Sequence, residues 1–112
     1  MTTAVFFKES KLFKGFTLYG HAGHGSEGSD IVCAALSSAA YLAANTLSLD
    51  DKNAKINIGE GKITVYIEKV SDLSEKVLTA LEFQLTDIQR QYPENFRLCS
   101  LNSTGGKKQC LM

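Results

Sequence analysis

Residues 12–49 read LFKGFTLYGHAGHGSEGSDIVCAALSSAAYLAANTLSL, and this stretch decides the fold. Its first nine residues alternate in a way that is typical of a half-buried β-strand. Residues 20–29 hold four of the nine glycines and predict a loop, because glycine permits backbone conformations that other residues avoid. Residues 31–49 contain neither Gly nor Pro and are rich in Ala, which predicts a helix capped by Ser29 or Asp30.

The rest of the chain adds strands and a second helix to this unit. Apolar residues alternate in 54–58 and 62–68, the apolar run Val5-Phe6-Phe7 suits a strand, and apolar residues recur at helical spacing in 72–91. We therefore expect strands at 3–8, 54–58, 62–68 and 96–101, with a tight turn at Gly59-Glu60-Gly61, and a helix over 72–91 that begins near Ser71 and is stopped by Pro93. This order predicts an α+β domain of two layers, in which two helices cover one face of an antiparallel or mixed sheet of four to five strands. The domain would span 1–101, and residues 102–112 would form a polar, flexible tail.

Composition excludes several classes of protein. Twelve basic residues balance twelve acidic ones, so the basic excess of a typical nucleic-acid binder is missing and we expect no direct nucleic-acid partner. Three cysteines are an odd and sparse set that does not suggest a disulfide framework, which favours reduced thiols in the cytoplasm. We expect no membrane span, because no run approaches about 18 uninterrupted apolar residues. Because the net charge of the chain is zero, little charge repulsion opposes self-association.

The residues that could carry chemistry are His21, which ends the second strand, and Cys33, which follows the glycine-rich loop. With a helix that begins at Ser29, Cys33 falls in the first turn, where unpaired N–H groups stabilise a thiolate. The loop is long enough to bring His21 back to Cys33 as a general base. By itself the pattern is weak, because a cysteine on an Ala-rich helix is more often a small buried apolar residue.

A longer motif resembles a known family. Gly20-His21-Ala22-Gly23, five further residues and then 29–37, which read SDIVCAALS, are similar to the signature of the ribosomal-processing cysteine proteases (Prp). The resemblance extends over about residues 3–100. It implies a cytoplasmic, homodimeric cysteine protease without a cofactor. It also implies a substrate, the short N-terminal extension of large-subunit ribosomal protein twenty-seven, and hence a part in ribosome assembly.

Transferred by position, the resemblance assigns a role to each residue of the motif. It makes Cys33 the nucleophile and His21 the base. Supporting positions are Asp30, whose role could be to cap the helix, and Gly20, Ala22 and Gly23; the substrate loop would include His24, Gly25 and Gly28. We also expect this loop to be mobile until substrate orders it.

Two alternatives stay open at this point. His24 could be a surface residue, a substrate contact or a metal ligand, but a zinc site needs three or four ligands at clear spacing, so we expect no metal. The chain could also be a dimeric, non-enzymatic ribosome assembly factor in which Cys33 and His21 are structural. We expect Cys99 to pack in a strand and Cys110 to be exposed.

Overall fold

This computed structural model describes residues 1–20, 27–103 and 108–111. Within these residues, six β-strands and two α-helices form the domain. The elements in chain order are β1 (Thr2–Glu9), β2 (Leu12–Gly20), α1 (Glu27–Asp50), β3 (Lys55–Gly59), β4 (Lys62–Tyr66), α2 (Asp72–Gln91), β5 (Phe96–Asn102) and β6 (Lys108–Leu111). The predicted α+β class is confirmed.

The strands form one mixed sheet in the order β3-β4-β2-β1-β5-β6. Strands β1 and β5 are parallel, and the other neighbouring pairs are antiparallel. β1 and β2 form one hairpin, and β3 and β4 form a second at the tight turn predicted for Gly59-Glu60-Gly61. The chain turns between β1 and β2 at Ser10 and Lys11, which have positive φ angles of 51° and 70°.

The sixth strand differs from the prediction, which placed 102–112 in a flexible tail. Strand β6 pairs with the outer edge of β5, from Leu101–Lys108 to Leu98–Leu111. The polar composition of the tail suggested fraying, but an unpaired strand edge offers backbone N–H and C=O groups that a polar segment can pair with equally well. The backbone N–H of Ser103 also donates to the carbonyl of Lys8, 3.0 Å away.

Both helices pack on the same face of the sheet and bury the core. The largest fully buried side chains come from both layers: Phe6, Phe16, Val65 and Phe96 from the strands, and Val32, Leu36, Leu47, Leu78 and Leu85 from the helices. Residues Ile31–Asp50 of α1 are long and apolar enough to cross a membrane by length and composition. Because Leu36 and Leu47 are wholly buried in this core, we interpret α1 as the central helix of a globular domain.

Helix α2 begins as its sequence predicts. The Ser71 hydroxyl accepts from the backbone N–H of Ser74 at 3.0 Å, and the Ser74 hydroxyl accepts from the backbone N–H of Ser71 at 2.8 Å. This reciprocal pair satisfies two of the N–H groups that a helix start leaves unpaired. The helix ends at Gln91, two residues before Pro93.

Candidate active site

Cys33 lies on α1, is half-buried, and is the free thiol among the three cysteines. It lines a cavity of about 120 Å³ between three parts of the fold. The end of β2, one side of α1 and the β3–β4 hairpin form its walls, through Leu18, Tyr19, Gly20, Ser37, Tyr41, Gly59, Gly61, Lys62 and Ile63. The thiol therefore lies beside a small cavity whose walls come from segments far apart in sequence.

Gly20 joins the end of β2 to the hairpin beside this cavity. Its backbone N–H donates to the carbonyl of Gly61, 3.1 Å away. Its φ angle is 113°, a value that side chains disfavour, and a Cβ atom there would collide with the carbonyl oxygen of Met1. The structure thus gives Gly20 a steric reason to be glycine at the point where the chain leaves the sheet toward His21.

The start of α1 corrects part of the sequence prediction. The helix begins at Glu27, so Ser29 and Asp30 lie inside its first turn and do not cap it. Gly28 likewise belongs to the helix and not to the loop. The prediction placed the boundary at the best capping side chains, but Glu27 and the following residues extend the helix by about half a turn.

This earlier start also moves Cys33 to the second turn of α1. The N–H groups that a helix leaves unpaired belong to its first turn, and their electrostatic effect falls off within that turn. The prediction that first-turn N–H groups stabilise the Cys33 thiolate is therefore not supported by this geometry. His21, Ala22, Gly23, His24 and Gly25 lie outside the described residues, as does the predicted ordering of their loop by substrate.

The other two cysteines form a disulfide between Sγ of Cys99 and Sγ of Cys110. The expectation of three reduced thiols is wrong in this structure. The two residues face each other across the β5–β6 ladder, and the sequence did not predict β6. Cys99 is buried in a strand and Cys110 is exposed, as expected. Within the described part of the chain, no three His, Cys, Asp or Glu residues are grouped as metal ligands.

Sequence reasoning missed the other walls of the cavity. Cys33, Ser37 and Tyr41 recur every four residues and so lie along one side of α1, which the sequence could have indicated. No local sequence pattern indicates that the β3–β4 hairpin lies beside Cys33, because its position follows from the pairing of β4 with β2.

The family model described as "Cysteine protease Prp" matches residues 1–97. This chain belongs to that family.

Relatives within and near the family support the assignment. The ribosomal processing cysteine protease Prp of Staphylococcus aureus (strain Mu50) is 32% identical over 83 residues, which are 70% of this chain and 78% of that protein. A crystal structure of Prp from S. aureus in complex with a substrate peptide has a TM-score of 0.77 at 25% identity, covering 89% of this chain and 99% of that one. The structure of SMU.848 from Streptococcus mutans shares the fold, with a TM-score of 0.74 at 22% identity over 92% and 96% of the two chains.

The chain is therefore a cysteine protease of the ribosomal-processing family. The S. aureus Prp has also been crystallised with a covalently linked product peptide, at 26% identity to this chain. The alternative of a non-enzymatic assembly factor is not favoured.

Proposed function

We propose that this protease removes the N-terminal extension of large-subunit ribosomal protein twenty-seven in the cytoplasm, with Cys33 as nucleophile and His21 as general base. The observation that supports it most is the position of Cys33: a free, half-buried thiol beside a cavity, within the motif that resembles the family signature. A half-buried thiol is accessible to a peptide substrate.

The proposed reaction has two steps. His21 takes the proton of Cys33, and the thiolate attacks the carbonyl carbon of the scissile bond. The C–N bond then breaks as His21 gives its proton to the leaving amine, and a thioester remains on Cys33. Water attacks the thioester with His21 as base, which releases the carboxylate product and restores the thiol.

The β3–β4 hairpin is suited to receive the substrate backbone next to Cys33. Gly59 and Gly61 both line the cavity, and a Cβ atom added at Gly59 would meet nothing within 4 Å. Two glycines leave room for an extended peptide to approach the hairpin closely. Tyr19 at the end of β2 and Tyr41 on α1 also line the cavity and are 38% and 42% exposed, so an apolar side chain of the substrate can contact them.

We further propose that the protease is a homodimer through the outer side of its helices. Leu42 and Leu49 of α1 are 69% and 89% exposed, and Phe83 of α2 is 68% exposed. Leu42 also lines a groove of about 570 Å³ between the two helices, whose surface is mainly apolar. Large apolar side chains gathered on one side of a small domain are typical of a protein interface.

A synthetic peptide that spans the extension and the start of the mature ribosomal protein tests the activity. The wild-type chain should cleave it at one bond, as measured by mass spectrometry. Cys33→Ser should give no product, and His21→Ala should be slower by about 10²–10⁴-fold, the usual contribution of general acid–base catalysis. Cys110→Ser is the matched control and should retain activity. Cleavage by Cys33→Ser at the wild-type rate would exclude the proposed nucleophile.

A further inference from the structure

Although the net charge of the chain is zero, its charges are distributed unequally between the helix layer and the sheet layer. The helices hold seven acidic residues and two basic ones: Glu27, Asp30, Asp50, Asp72, Glu75, Glu82 and Asp87 against Lys76 and Arg90. The strands hold six basic residues and one acidic one: Lys8, Lys14, Lys55, Lys62, Arg97 and Lys108 against Glu9. The sheet layer is therefore basic although the molecule is neutral.

Lys55, Lys62 and Arg97 belong to the face of the sheet that the described helices do not cover, since Lys62 and Arg97 directly precede the core residues Ile63 and Leu98 in their strands. Lys55 of β3 pairs directly with Tyr66 of β4, and Tyr66 pairs with Gly15 of β2. Side chains of directly paired residues lie on the same face, and Tyr66 follows Val65, which points into the core. Lys8 lies on the helix side, because its Nζ is 4.6 Å from the ring centroid of the core residue Phe13.

An aromatic surface lies beside Lys55 on this face, in the line of paired residues that runs across the strands through Tyr66 and Gly15 to Phe7. Because Gly15 has no side chain, the rings of Tyr66 and Phe7 meet above it, with centroids 5.1 Å apart and planes inclined by 15°. Tyr66 is still 44% exposed. Its ring is held by Phe7 and has surface left for a second flat group.

Beside this ring is a groove of about 580 Å³ whose walls are about half polar. Lys14 and Lys55 supply positive charge, and the side-chain amide of Asn57 supplies a hydrogen-bond donor and an acceptor. Thr64, which pairs with Asn57 across the strands, supplies an acceptor, because its hydroxyl proton is used toward Oγ1 of Thr17, 2.9 Å away, while the Thr17 hydroxyl donates to the carbonyl of Ile63. The remaining lining residues are Asn53, Tyr66, Ile67 and Glu68. Glu68 contributes one negative charge, and its backbone carbonyl accepts a hydrogen bond from Nζ of Lys14 at 3.3 Å.

We infer that this groove binds single-stranded RNA. An exposed aromatic ring on a sheet face stacks with an unpaired base, and lysines beside it contact the backbone phosphates. Asn57 and Thr64 can hydrogen-bond a base edge or a 2′-hydroxyl. A duplex offers no unpaired base to Tyr66, and an acidic peptide offers charge to the lysines but no comparable ring to stack. The choice of RNA over DNA rests on the proposed function, since a ribosomal protein substrate brings the enzyme close to RNA.

Fluorescence anisotropy of a labelled oligouridine about ten nucleotides long, titrated with the full-length chain, tests this inference. Binding should be saturable and should weaken steeply between about 50 and about 200 mM salt. Tyr66→Ala should weaken binding by about ten-fold or more, and Tyr66→Phe, which keeps the ring, by less than about two-fold. Lys55→Gln should weaken binding and lower the salt slope by about 0.7, while Lys76→Gln on α2 should change neither.

Three results would overturn it. One is the absence of salt-dependent binding; the second is wild-type affinity in both Tyr66→Ala and Lys55→Gln. The third is competition by single-stranded DNA or polyglutamate as effective as that by unlabelled RNA. Peptide cleavage is measured separately for each variant and should be unchanged, so a failure of RNA binding is distinguishable from a failure of the proposed protease function.

Discussion

The backbone N–H of Phe13 donates a hydrogen bond to Oε2 of Glu75, 2.8 Å away, although 62 positions separate the two residues. Phe13 is in β2 and its ring is buried in the core, whereas Glu75 is in the first turn of α2. This bond therefore fixes the start of α2 to the sheet.

We expect Glu75→Ala to lower the free energy of unfolding by about 1–2 kcal/mol, because it leaves the partly buried N–H of Phe13 without its acceptor. Glu75→Gln keeps an oxygen acceptor and should lose less. Urea denaturation followed by circular dichroism measures both, with Glu94→Ala as an exposed control. Equal stabilities of Glu75→Ala and the wild type would show that water replaces the carboxylate without cost.

The hydrogen bonds that the Asp51 carboxylate accepts should make the stability of the protein depend on pH. Its carboxylate accepts from the backbone N–H groups of Asn53, Glu68 and Lys69, at 2.9, 3.0 and 3.2 Å. These bonds, that of Asn53 first, lower the pKa of Asp51 below its ordinary value of 3.8. Because the folded pKa lies below the unfolded one, the contribution of this carboxylate is complete above the unfolded value and is lost as the pH falls through the folded pKa.

The test of this pH dependence compares the wild type with Asp51→Asn. The wild type should be the more stable protein at neutral pH, and the difference should shrink as the pH falls below 3.8. Thermal unfolding at a series of pH values measures the difference. A difference that stays constant over this acidic range would contradict the assigned hydrogen bonds.

Replacement by alanine should destabilise the protein at one glycine of the sheet, Gly15, and have little effect at another, Gly59. A Cβ atom at Gly15 would collide with the carbonyl oxygen of Val65 and lie 3.1 Å from Cα of Tyr66, whereas one at Gly59 would meet nothing within 4 Å. We expect Gly15→Ala to lower the free energy of unfolding by about 1–3 kcal/mol or more, since the neighbouring backbone must shift. Gly59→Ala, the matched control, should be close to the wild type. Similar losses in the two variants would mean that strand flexibility, and not the close approach, decides the effect.

The cysteine arrangement predicts an alkylation pattern. Without reductant, iodoacetamide should add one label, at Cys33, because Cys99 and Cys110 are joined. After reduction and denaturation it should add three. Intact-mass and peptide-mass spectrometry count and locate the labels. Three labels on the unreduced, folded protein would show that the disulfide does not form in solution.

The proposed dimer predicts an effect of charge on the helix surface. Leu42→Glu places a carboxylate in the groove between α1 and α2 and should convert the dimer to a monomer, because an unpaired charge is costly to bury. Gln91→Glu adds the same charge at the exposed end of α2 and should leave the dimer intact. Sedimentation velocity at micromolar concentration distinguishes the two states. A monomeric wild type would refute the dimer itself.

Much of the fold follows from local patterns in the sequence. The alternation in 12–20 defines β2, and the serines at 71 and 74 with Pro93 define both ends of α2, because capping and strand alternation depend on residues a few positions apart. The motif around Cys33 likewise indicated the family. These features need no knowledge of what the segments pack against.

Only the tertiary structure decided what is brought together from distant segments. The sequence placed the start of α1 at Ser29 or Asp30, where the side chains cap best, but the helix begins at Glu27 and puts Cys33 in its second turn. The sequence predicted a turn at Gly59–Gly61, but only the pairing of β4 with β2 brings that turn beside Cys33. Residues 108–111 became a strand because β5 had a free edge, and this strand placed Cys110 opposite Cys99. Strand order and edge pairing depend on contacts between residues far apart in the chain, which local propensity does not encode.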